Sequence, residues 1–68
     1  MNKRCQVWTD KIISEMTEPF TALTIREKLV ERHKSNYIES NTSIGQYLAR
    51  NCVLIGVTHS RHLYRKCD

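Results

Sequence analysis

Asn41-Thr42-Ser43-Ile44-Gly45-Gln46-Tyr47-Leu48-Ala49-Arg50-Asn51 is the stretch whose reading decides the fold. Wound as a helix at about 100° per residue, it has two unlike sides. Ile44 and Leu48 share one, with Tyr47 and Asn51 at its edges. Thr42, Ser43, Gln46, Ala49 and Arg50 fall on the other. That outer side carries hydroxyls, an amide, a guanidinium and a methyl, and no carboxylate. These are groups that read base edges in a DNA major groove: an amide for adenine, a guanidinium for guanine, small residues for close approach. A solvated helix face usually mixes Glu with Lys, although short polar helices of no special function are common. The remainder of the chain has to separate a reading face from plain surface.

Size allows one domain, residues 1–68, with one small core. Such a core is marginal, and dimerisation or a bound partner helps it. The formal net charge is +4 and the pI is about 9.2. Residues 1–40 carry seven Lys/Arg against six Asp/Glu, a net of +1. Residues 41–68 carry Arg50, Arg61, Arg65 and Lys66 against Asp68 alone, a net of +3. The excess sits in the helix at 41–51 and in the C-terminal residues after it, which suits a polyanionic partner. Small basic domains also occur for solubility alone. No stretch approaches the roughly 18 apolar residues that span a bilayer. Met1-Asn2-Lys3-Arg4 has no apolar run after it, so no signal peptide is expected. Three cysteines, Cys5, Cys52 and Cys67, an odd number with no secretory signal expected, point to reduced thiols in a cytoplasm, where a DNA partner would make the chain nucleoid-associated.

A first helix is expected from near Lys3 to Met16, with Cys5, Trp8, Ile12 and Met16 on one stripe and Thr9 and Ile13 beside it. Trp8 is the expected core anchor. Thr17-Glu18-Pro19 ends this helix. Phe20-Thr21-Ala22 reads as a short edge strand, with Pro19 tolerated at its start. Thr24-Ile25-Arg26-Glu27 reads as a capping box starting a second helix, with Ile25, Leu29 and Val30 facing inward or nearly so. Thr24 and Arg26 then fall in its first turn, where free backbone N–H groups can hold a phosphate. Ser35 to Ser40 is a connection rich in turn formers, with Tyr37 and Ile38 tucked under the helices. Ser40, Asn41, Thr42 and Ser43 are all candidate caps for the third helix. After Asn51 the period changes from helical to alternating. Cys52 to Thr58 and His62 to Cys67 form a hairpin with a cationic tip at His59-Ser60-Arg61. With no Gly or Asn-Gly there, a loop wider than two residues is expected.

The order helix, short strand, helix, turn, helix, hairpin resembles the winged helix-turn-helix family. The resemblance runs from about Trp8 to Lys66. It rests on Pro19 to Leu29, on Ser43-Ile44-Gly45-Gln46-Tyr47-Leu48, and on the Val53 to Arg65 hairpin. It implies an α+β fold of three helices with a short strand and a C-terminal β-hairpin wing. It further implies a third helix in the major groove, a wing on the adjacent backbone or minor groove, and a bracing second helix. Carried over, Gln46 and Arg50 read bases, Thr42, Ser43 and Tyr47 touch bases or phosphates, and His59, Ser60, Arg61 and His62 form the wing tip. Arg65, Lys66, Thr24 and Arg26 are left for phosphates. Phosphate contacts position such a protein and are salt-dependent, while the helix face specifies sequence.

Other chemistries have less behind them. Cys52, His59, His62 and Cys67 match a zinc inventory, but a hairpin separates tip from base by about seven residues, roughly 20 Å. Zinc needs every ligand within about 2.0–2.3 Å of the metal. No metal or other cofactor is expected. Cys52 and Cys67 can face each other at the hairpin base, as free thiols or as a disulfide. A chain this short has little room for a catalytic cleft, and no nucleophile has a local motif, so no enzyme is expected. The leading expectation is a small transcription regulator that binds double-stranded DNA by sequence, as a monomer or as a homodimer through the first helix or a hairpin edge. The alternative is a protein-interaction module on the same scaffold. RNA binding ranks third, for want of a basic tail and paired exposed aromatics.

Overall fold

The computed structural model describes residues 3–32 and 39–67. It is an α+β arrangement of α1 (Lys3–Glu15), α2 (Ala22–Glu31), α3 (Asn41–Asn51), β1 (Cys52–Thr58) and β2 (Arg61–Lys66). The expected contacts of Tyr37 and Ile38 lie outside the described residues.

One core joins the three helices to the hairpin. Cys5 and Ile12 from α1, Ile25 and Leu29 from α2, and Ile44 and Leu48 from α3 are each 0% exposed. Phe20 and Tyr64 complete the cluster from the α2 approach and from β2. Phe20 is the largest of the fully buried side chains. Trp8 is not the anchor the stripe suggested. The buried line on α1 runs Cys5, Thr9, Ile12, which rotates Trp8 to the rim. There Lys11 Nζ stands 5.1 Å from the centre of the Trp8 ring, within cation–π range. Thr9 tolerates burial because its hydroxyl lies 3.9 Å from Cys5 Sγ. Val30, expected inside, is exposed, since only Ile25 and Leu29 of α2 are buried.

The second helix is capped three residues before the expected position. Thr21 is the N-cap, with Thr24 at the third helical position. The Thr21 hydroxyl accepts from the Thr24 N–H at 3.3 Å, and the Thr21 N–H donates back to the Thr24 hydroxyl at 3.4 Å. A threonine replaces the usual carboxylate in the returning half of this box. The expected strand shrinks to one residue. Phe20 bridges Tyr64, with N–H to carbonyl bonds of 2.8 Å in both directions. That bridge fastens the approach to α2 onto β2.

Ser40 caps α3, and its hydroxyl accepts from the Ser43 N–H at 3.2 Å. Gly45 lies in the middle of this helix, where it costs about 0.5–1 kcal/mol relative to alanine.

The hairpin is antiparallel, with Cys52 opposite Lys66 at the base and Thr58 opposite Arg61 at the tip. The turn is tighter than expected. His59 and Ser60 alone make it, with φ of 48° and 64°. A two-residue hairpin of this type needs left-handed backbone at both positions to match the strand twist. Here histidine and serine adopt it without a glycine. The register shifts between Leu54 and Gly56, so Ile55 forms a bulge.

Candidate nucleic-acid interface

The outer side of α3 and the tip of the hairpin meet along one groove. Asn41, Thr42, Gly45, Gln46 and Ala49 line it from α3. Ser60, Arg61, His62 and Tyr64 line it from the hairpin, and Ala22 and Leu23 close it at the start of α2. Among the described residues that line it, none is acidic. The arrangement follows from the core. Burying Ile44 and Leu48 turns Thr42, Gln46 and Ala49 outward on α3, and burying Tyr64 turns His62, two residues along the same strand face, toward the groove. The Tyr64 hydroxyl and His62 Nδ1 are 3.4 Å apart, with the rings edge-on at 6.3 Å. This contact orients the imidazole at the groove wall.

The candidate residues divide between this groove and other places. Thr42, Gln46, Ser60, Arg61 and His62 line it. Arg50 is exposed on the same side of α3 as Gln46, one turn on. His59 is exposed at the turn itself. Ser43 is half-buried, and the Ser40 hydroxyl donates to its Oγ at 3.4 Å.

The other candidates are placed elsewhere. Tyr47 turns toward α1, and its hydroxyl donates to Asp10 Oδ1 at 2.5 Å. Thr24 is engaged in the α2 cap. Arg26 stands beside Glu27 and Glu31 in a shallow dent on α2, in acidic company. Arg65 and Lys66 lie at the hairpin base, about 13–17 Å along the strand from Arg61. Lys66 Nζ donates to the Ser14 carbonyl at 3.5 Å, and Arg65 donates to the Lys66 carbonyl at 3.3 Å. Strand length alone separates these two cations from the tip.

Titration behaviour marks the opposite side of α3. The Tyr47 phenol is pushed up to about 12, first by burial, then by its bond to Asp10 and the charge of that carboxylate. Burial also pushes the Cys52 thiol up, aided by Asp10 and Cys67. Arg32 holds the Glu15 carboxyl below its ordinary value through a two-armed ion pair, with one arm at 3.2 Å. That pair ties the end of α1 to the end of α2.

Asn41, Gly45, Ala22 and Leu23 join the groove without having been singled out as contact residues. Gly45 carried a readable signal, as a glycine inside a strongly patterned helix. Ala22 and Leu23 carried none, because their place depends on where α2 begins. Among the described residues, no group of three or more His, Cys, Asp or Glu side chains is placed to hold a metal ion. Among them, too, no helix is long and apolar enough to cross a membrane. Comparisons with protein-family models, curated proteins and solved structures find no match for this chain.

Proposed function

We propose that this chain is a winged helix-turn-helix protein that binds double-stranded DNA by sequence, as a small transcription regulator. In this reading α3 enters the major groove and the hairpin acts as the wing on the neighbouring backbone or minor groove. The observation that carries it is the carboxylate-free groove shared by the outer side of α3 and the hairpin tip. Gln46 and Arg50 supply the amide and guanidinium that distinguish adenine and guanine. Arg61, with Ser60 and His62, supplies contacts to phosphate. The test is a titration on a random duplex library at several salt concentrations. Gln46→Ala and Arg50→Ala each lower discrimination by about 1–3 kcal/mol, while Arg61→Ala weakens all sequences alike and reduces the salt slope by about one. A wild-type chain that binds no duplex at low salt would sink the reading.

A second reading, a protein-interaction module, is favoured by a different surface. β1 is the outer strand of the hairpin, and Leu54, Ile55 and Val57 on it are 55%, 44% and 65% exposed. This strand carries no charged residue. Such an edge suits a partner protein or a second copy of the chain. Replacing Leu54 and Val57 with Ser leaves DNA binding by a single chain intact. It abolishes any complex with a partner or second copy that uses this edge, as read by sedimentation.

A further inference from the structure

Glycine is a costly choice at position 45, and nothing among the described residues requires it. Glycine inside a helix is entropically worse than alanine unless the backbone or the packing demands it. The backbone does not, since no glycine of the described chain has positive φ. The packing does not either. A Cβ built on Gly45 would meet the Ala22 Cβ at 3.9 Å, an ordinary van der Waals contact. The described fold thus gives no reason for the missing side chain. Gly45 lines the groove between Thr42 and Gln46 on one side and Arg61 and His62 on the other.

We infer that Gly45 is an approach point for the sugar–phosphate strand of a DNA duplex. This rests on the DNA-binding reading above and adds a contact residue to it. A bare Cα lets the strand lie against α3 about 1.5 Å closer than a methyl would allow. Arg61 and His62 meet the same strand from the hairpin, and no acidic side chain among the described lining repels it. Gly45 thus trades helix stability for ligand contact, and the two effects of replacing it have opposite signs.

The test is Gly45→Ala in the full chain, with two measurements. Thermal unfolding reads the fold, and anisotropy reads binding to the duplex that the wild-type chain selects from a random library. The unfolding midpoint rises by about 2–6 °C. Affinity for the duplex falls about tenfold or more at fixed salt. A lower midpoint overturns the proposal, because the fold would then need the glycine. Undiminished affinity in a stabilised variant overturns it as well, while leaving the DNA reading standing. A wild-type chain that selects no duplex removes the DNA reading itself, and this proposal with it.

Discussion

On one side of α3, Tyr47 reaches Asp10 and the neighbouring helices close their own ion pair between Arg32 and Glu15. On the other side, Thr42, Gly45, Gln46 and Ala49 face Arg61 and His62 across an open groove. The first side gives its polar groups partners within the fold. The second leaves Arg61 facing solvent with no carboxylate among the described lining. Residues 41–67 contain no Asp or Glu at all, so the contrast is written into composition as well as placement. A helix that only served the core would gain solubility from acidic residues on its open face. The absence of acid from that face is what the core does not explain.

The contrast can be broken most strongly by putting a carboxylate on the open side. Ala49→Glu sits at an exposed helical position that tolerates glutamate. It leaves the unfolding midpoint near wild type and weakens duplex binding roughly a hundredfold, about 2.8 kcal/mol. Unchanged binding, measured by anisotropy beside circular dichroism, would mean that the groove is not the contact surface.

A smaller effect sharpens the contrast at the hairpin tip. Ser60 holds φ of 64° without glycine's freedom. Ser60→Gly relieves that cost and stabilises the chain by about 0.5–1 kcal/mol in urea unfolding. A loss of stability would show that the serine side chain supports the turn.

The smallest effect reads the paired side. The folded Tyr47 phenol titrates at about 12, against an ordinary value of 10.0. The folded state therefore holds this proton more tightly than the unfolded chain does. The resulting stability is fully present below the unfolded value and is lost as pH rises from there toward 12. Tyr47→Phe is less stable than wild type at neutral pH, and the gap narrows across that alkaline window. Denaturant midpoints compared from neutral pH to about 12 check it, and a gap constant with pH removes the Tyr47–Asp10 link from the account.

Much of this architecture was legible in the sequence. The third helix occupies the expected Asn41 to Asn51, because Ile44 and Leu48 fix its inner side and polar residues flank it. The alternation after Asn51 marked the hairpin by the same logic, with a period of two. Boundaries failed where two residues competed for one role. Thr21 and Thr24 are both threonines at cap spacing, and only the pairing of Phe20 with Tyr64 decides that the chain is still extended at 20. Thr9 and Trp8 competed for the buried line of α1, and hydrophobicity alone favoured the wrong one. The groove was half legible. A helical wheel finds Thr42 and Gln46, but nothing local says which end of the hairpin lies over them. The alternation already put Arg61 at the tip and Lys66 near the base, and only the packing of the hairpin shows that the tip is the end beside α3.

Ile55 carries a last consequence. On either side of the shift at this residue, Leu54 still pairs with Tyr64 and Val57 still pairs with His62. What a bulge adds is bend and coil. Removing Ile55 would keep every facing pair and alter only how far the ribbon curls. The reach of Arg61 over the α3 surface is thus tunable by one insertion, independently of the chemistry at either end.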